Sequence, residues 1–225
     1  MKNWSLESPI RFCFLFGLAI FNTAYNAACM DPCDAPEAWV GNAKVESTSD
    51  IDALEDVICV QGSLVIGDIT HRPEDIGTGI QGMERGFQLS NLDGLESLEY
   101  VEGDLHIAGN ALLTSLDGLK NLGYVGRELR PEKYPRGDLI IHDNLLLSDL
   151  DGIETLHTVG ANAIVSANIL LVDLSGMRSL EKVGWELRIL DNPSLETEDA
   201  QEFSEDISAF GGVLISGNAG AGGGS

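Results

Sequence analysis

Along the second half of the chain, apolar and polar positions alternate in short bursts that return at regular intervals. The pairs Leu105 and Ile107, Leu139 and Ile141, Ala163 and Val165, Leu187 and Ile189, and Val213 and Ile215 are each two residues apart. Side chains two apart share one face of a strand, so each burst predicts a short strand whose pair points inward. An asparagine follows every burst, at Asn110, Asn144, Asn168, Asn192 and Asn218. Next comes a stretch such as Leu116, Leu119, Leu122 and Val125. Spacing by three reads as an apolar edge, not a long helix, and the Gly of its D-G pair marks a tight turn.

Three markers keep the same beat. The valines Val101, Val125, Val159 and Val183 are spaced by 24, 34 and 24 residues. The L-D-G-L tetrad recurs at Leu92–Leu95, Leu116–Leu119, Leu150–Ile153 and Leu174–Met177 with the same spacings, and the asparagines follow suit. One unit is therefore 24 residues long, and one copy carries ten more. No single unit buries its own apolar edge, so units must stack with their strands in parallel. The predicted fold is mainly β: a solenoid of about six coils with parallel sheets and short capping helices. Val60–Asp68 opens the stack, and its last strand begins near Phe210. Ser49–Ile58 and Glu198–Ile207, with apolar residues at helical spacing, read as the helices near the two ends. No cap is read after Ile215, so the last coil is expected to be open to a partner, to a second copy or to further chain.

Between the inward pairs, one residue per coil points outward: Val65, His106, Ile140, Ile164, Arg188 and Leu214. Four of these six are large and apolar, and contiguous exposed apolar surface marks interaction sites. Two insertions interrupt the beat. Thr70–Gly86 is glycine-rich, and Arg127–Arg136 (RELRPEKYPR) brings Arg130 and Tyr134 to one end of the same sheet. Loops on rigid scaffolds often carry specificity. The binding candidates are thus His106, Ile140, His142, Ile164, Arg188, Arg130 and Tyr134.

The units resemble a known family. Cys59-Val60-Gln61-Gly62-Ser63-Leu64-Val65-Ile66, the helix-like segment before it, and the V-x-G-x-L-x-I and L-x-x-L units up to Asn192 look like receptor L domains. These are the ligand-binding solenoids of the insulin-receptor and epidermal-growth-factor-receptor family and of related bacterial and fungal surface proteins. The resemblance covers residues 33–218. It implies a right-handed β-helix capped by a disulfide-tethered helix, and it leaves the ligand open. No cysteine-rich module, membrane span or kinase is read here, so a signalling receptor is not implied.

Charge narrows the partners. The chain holds 36 acidic and 13 basic residues, a formal net charge of −23. Such a balance repels phosphate backbones and anionic membrane surfaces. The first 28 residues read as a secretory signal peptide: Lys2 and Arg11, the apolar run Phe12–Phe21, then Ala27 and Ala28. That run is too short to cross a bilayer, which takes roughly 20 residues. Residues 29–218 would then form the solenoid and 219–225 a glycine-rich tail.

Export allows a disulfide. With Cys13 in the leader, Cys29, Cys33 and Cys59 remain. Cys33 with Cys59 is the expected bridge, because it would staple the short helical pattern to the first strand; Cys29 with Cys59 competes. The leftover thiol would be free, lipidated or paired with another chain, although Asn26 stands where a bacterial lipobox wants Leu. No N-x-S/T sequon follows the leader, since Pro193 blocks the one at Asn192, which favours a bacterial exported protein.

Reactive constellations are lacking. There is no G-x-S-x-G elbow, H-E-x-x-H helix or P-loop. Residues 77–82 (GTGIQG) match the dinucleotide fingerprint formally, but no strand leads in and no helical period follows. His106, His142, Asp104 and Asp138 on neighbouring strands have ligand chemistry suited to zinc, but the two histidines are offset by two positions, so no metal is assigned. The same sheet lacks the cluster of Lys and Arg that a polysaccharide lyase needs to neutralise a uronate. No cofactor is assigned. The sequence therefore predicts an exported, non-enzymatic module that binds a protein or glycan, with a structural envelope protein as the alternative.

Overall fold

The computed structural model of the protein describes residues 32–67, 89–126 and 136–220. Its strands form two parallel sheets of seven. One sheet runs through two-residue strands in the order β1 (Ala38–Trp39), β3 (Cys59–Val60), β5 (Tyr100–Val101), β7 (Tyr124–Val125), β9 (Thr158–Val159), β11 (Lys182–Val183) and β13 (Ser208–Ala209). The other runs through β2 (Ala43–Val45), β4 (Leu64–Gly67), β6 (Leu105–Ala108), β8 (Leu139–His142), β10 (Ala163–Ser166), β12 (Glu186–Leu190) and β14 (Gly212–Ser216). The chain visits the sheets alternately, one strand of each per coil, which is the arrangement of a solenoid. The seventh strand in each sheet, β1 and β2, lies N-terminal to Val60.

Each expected inward pair is in register with the next. Leu64, Leu105, Leu139, Ala163, Leu187 and Val213 align across the long sheet, as do Ile66, Ile107, Ile141, Val165, Ile189 and Ile215. All but those of β14 are fully buried with the L-D-G-L leucines and the unit valines in one continuous core. Burying a side chain of this size contributes about 1.5–3 kcal/mol, and only stacking removes both edges of a coil from water.

Both predicted helices form, in shorter versions. At the N-terminal end, α1 covers Thr48–Asp52. Its start is held by Asp50, whose carboxylate accepts from the backbone N–H groups of Glu46 and Ser47 and from the Ser47 hydroxyl. Those donors, Glu46 first, hold the Asp50 carboxyl below its ordinary range. The helix stops well before Ile58 because Ile58 is drawn into the sheet, its N–H donating to Glu37 O. Toward the other end, α2 (Thr197–Ser204) buries Ala200 and packs Phe203 on the core, and the chain then enters β13 when Ser208 N donates to Glu181 O.

Cys33 and Cys59 are disulfide-bonded, with Cα atoms 5.1 Å apart. The bridge ties the 3-10 turn Pro32–Asp34 to β3, and the Gln61 amide donates to Cys33 O beside it. Cys29, the leader, the insertion Thr70–Gly86 with its GTGIQG segment, and Arg130 and Tyr134 lie outside the described residues. Among the described residues, no helix is long and apolar enough to cross a membrane.

Candidate functional site

The outer face of the long sheet carries two rows of side chains. The first row is in register throughout: Lys44, Val65, His106, Ile140, Ile164, Arg188 and Leu214. Parallel pairing brings these six predicted residues together and adds Lys44. That lysine was hidden from the repeat count because β2 lies upstream of the first complete unit. Basic or imidazole groups thus occur at three places, with branched apolar side chains between them. Arg188 is fixed by Glu186, to which its Nε donates at 2.8 Å.

The row is less open than the alternation implied. Ile164 is only 8% exposed, Val65, His106, Ile140 and Arg188 are half-buried, and Leu214 alone is well exposed. Neighbouring strands lie only about 4.8 Å apart, so large side chains in one row shield one another. Ile164, flanked by Ile140 and Arg188, supports the face from within.

His142 belongs to the second row, with Gly67, Ala108, Ser166, Leu190 and Ser216. It does not face water as expected. It is 5% exposed, and its Nδ1 lies 3.0 Å from the Ser166 hydroxyl. Small neighbours, Ala108 on one side and Ser166 on the other, let the imidazole sink against the sheet. A buried ring of this kind shapes the face without touching a ligand.

Two polar columns hold the ends of these strands. Before each strand, a side chain accepts from the backbone N–H of the equivalent residue one coil on. Asn42 takes Ser63 N at 2.9 Å, Asp104 takes Asp138 N at 3.0 Å and Asp138 takes Asn162 N at 2.8 Å. The carboxylates considered as zinc ligands are thus engaged in stacking coils. Among the described residues, no group of three or more His, Cys, Asp or Glu side chains is placed to hold a metal ion.

After each strand stands the asparagine column, fully or almost fully buried. Asn144 N donates to Asn168 Oδ1 at 3.1 Å, and Asn168 N and Asn192 N donate to Asn192 Oδ1 and Asn218 Oδ1 at 3.0 Å. Each amide nitrogen also donates back to the preceding coil, Asn144 to Ile107 O and Asn168 to Ile141 O. These amides serve the backbone, as asparagine does at corners, and none is offered to a sugar or to ice.

The loop insertion at 127–136 has a defined root. Gly126 and Gly137 adopt left-handed backbones, and a Cβ on Gly137 would lie 2.0 Å from Gly126 Cα. The inserted segment therefore leaves and rejoins the stack at one point, directly before β8 and its Ile140.

With two parallel sheets, the corner columns and the outer row in place, family membership follows. The receptor L domain model matches residues 58–171, half of the chain, so the protein belongs to the receptor L domain family. This is a family of non-enzymatic, ligand-binding domains. No curated protein matches the chain.

Proposed function

We propose that the protein is an exported recognition module that binds a protein ligand through the outer row of the long sheet. The observation that carries this reading is the unbroken register from Lys44 to Leu214 within a family of ligand-binding domains. A rigid sheet presents that row without ordering cost, and preorganised surfaces bind at lower entropic penalty. The inserted segments at 70–86 and 127–136, with Arg130 and Tyr134, would flank the row and add specificity. Residues 1–28 would direct export, consistent with a Cys33–Cys59 bridge that needs an oxidising compartment.

The test is capture from a panel of purified extracellular proteins and glycans, followed by an Ile140→Asp, Arg188→Glu double variant. Loss of a captured protein with the fold retained supports the sheet face. Ligands held equally well by this variant would overturn it, and capture of glycans alone would change the ligand class.

A second reading, self-association, draws on β14. Among the described residues nothing pairs with its outer edge, and Val213, Leu214 and Phe210 are exposed, with Phe210 against Trp185 at 5.8 Å between ring centroids. An uncharged edge strand is a template for further pairing. Sedimentation of wild type against Leu214→Lys separates this reading from the first, because only self-association predicts a change of mass.

A further inference from the structure

A different apolar surface runs along the corner beyond the asparagines. Leu112, Leu146 and Leu170 occupy the same position in three successive coils and are 39%, 40% and 45% exposed. Ile169 and Val172 widen the stripe in the third coil and are also exposed. The core does not require these leucines: Leu113, Leu147 and Leu171, one residue on, are the fully buried ones. Nor does the corner require them. The next coil repeats the same asparagine hydrogen bonds around Asn192 with Ser194 at this position, its hydroxyl donating to Ile169 O at 2.7 Å. Three leucines held in water where the fold accepts serine call for an external explanation.

The border of the stripe is acidic. Asp149, Asp151 and Asp173 follow it, and the exposed Asp191 precedes the next corner. Asp149 and Asp173 accept only local hydroxyl and backbone donors, from Ser148, Asp151 and Ser175. Burial raises the Asp151 carboxyl above its ordinary range, and the charges of Asp149, Glu154 and Asp173 raise it further, against a smaller opposing effect of Arg178. Carboxylates here crowd one another, so an arriving cation relieves repulsion.

We propose that the leucine ridge docks a basic amphipathic segment of a partner polypeptide, with its apolar side chains on Leu112, Leu146 and Leu170 and its Lys or Arg side chains on the flanking aspartates. A second copy of this chain is the poorer occupant, because at a net charge of −23 it would set aspartates against aspartates. The proposal concerns a different surface from the outer sheet row and stands if that reading fails.

The test titrates the full chain with a short leucine–lysine amphipathic peptide and with its leucine–glutamate counterpart. The lysine peptide should bind and the glutamate peptide should not. A Leu146→Ser, Leu170→Ser double variant should weaken binding at least about tenfold, as loss of apolar anchors does. Ser194→Leu, which extends the ridge by one coil, should tighten it. An Asp149→Asn, Asp173→Asn variant should flatten the salt dependence. Equal binding by the serine variant would reduce the effect to general attraction between an acidic protein and a cation, and would overturn the proposal. Binding of both peptides alike, or a leucine-dependent dimer in sedimentation, would overturn it as well.

Discussion

Every coil turns twice after its long-sheet strand, and the two corners differ in character. At the asparagine corner the geometry is the same in coil after coil: a left-handed residue, a buried amide, and hydrogen bonds forward and back. At the D-G corner it alternates. Gly94 and Gly152 have left-handed backbones, φ 111° and 105°, and donate their N–H groups to Glu96 and Glu154. Asp117–Leu119 and Ser175–Met177 instead form 3-10 turns. The position that is Glu96 or Glu154 in the first pair is Lys120 or Arg178 in the second. Where one amide serves its neighbours in the stack, every coil must match. Where the partner is a local side chain, each coil follows its own sequence.

The deepest cut in this contrast is Asn168→Leu. It leaves Ile141 O without its amide donor and Asn144 N without its acceptor, both in the dry interior. Each such unmade bond costs about 1–3 kcal/mol, so thermal or urea unfolding should register a loss of about 3–5 kcal/mol. A loss under about 1 kcal/mol would mean the column is decorative.

At the other corner the sensitive residue is Gly176. A Cβ there would lie 1.9 Å from Leu150 O of the preceding coil. Gly176→Ala should cost about 1–3 kcal/mol by forcing adjacent coils apart, measured by the same unfolding curves. An undiminished stability would show that these coils have room to shift.

Much of this was legible in the sequence, and for a definite reason. Inward pairs and corner asparagines recur because each coil repeats one backbone problem, so Leu105, Leu139 and Asn168 could be assigned by phase alone. The Cys33–Cys59 bridge was preferred for the same kind of local reason, a helix to be stapled. What escaped depends on neighbours outside the repeat. The burial of His142 turns on Ala108 and Ser166, one coil away on either side and small by chance of sequence. Ridge leucines were read as continuing the apolar edge, because one-letter periodicity does not distinguish Leu146, which is half in water, from Leu147, which is not. The D-G alternation did have a signal, the charge of the residue two after each glycine, and it becomes readable only once Glu96 and Glu154 are seen accepting from the backbone.

Ala167 tests the uniform corner with a gain. It is left-handed at φ 55°, where the equivalent positions are Gly109, Asp143, Asp191 and Gly217. Glycine has no Cβ penalty there and Asp has local hydrogen-bonding capacity, whereas alanine has neither advantage. Relief of about 1–2 kcal/mol of strain, offset by about 0.4–1 kcal/mol of extra freedom in the unfolded chain, should make Ala167→Gly more stable by about 0.5 kcal/mol. A lowered melting temperature would contradict the strain.

The finest probe of the alternating corner is Glu154→Gln. Asp151 sits beside Gly152, and its carboxyl is raised first by burial and then by the charges of Asp149, Glu154 and Asp173. A folded chain that holds this proton more tightly than the unfolded chain is opposed by ionisation. The penalty is absent below the ordinary carboxylate range, and stability falls as pH rises through the folded-state value. Removing the Glu154 charge takes away one of the three repulsions, so the Asp151 titration followed by NMR should move down toward its ordinary range, while burial keeps it from returning fully. The same variant replaces the charged acceptor of the Gly152 N–H with a neutral one, so that amide should exchange faster with solvent. Gly176, in a 3-10 corner with Arg178 in place of the glutamate, should exchange as before. If the Asp151 titration stays put, or if Gly176 changes as much as Gly152, then the glutamate is a bystander and the alternation of corners has another origin.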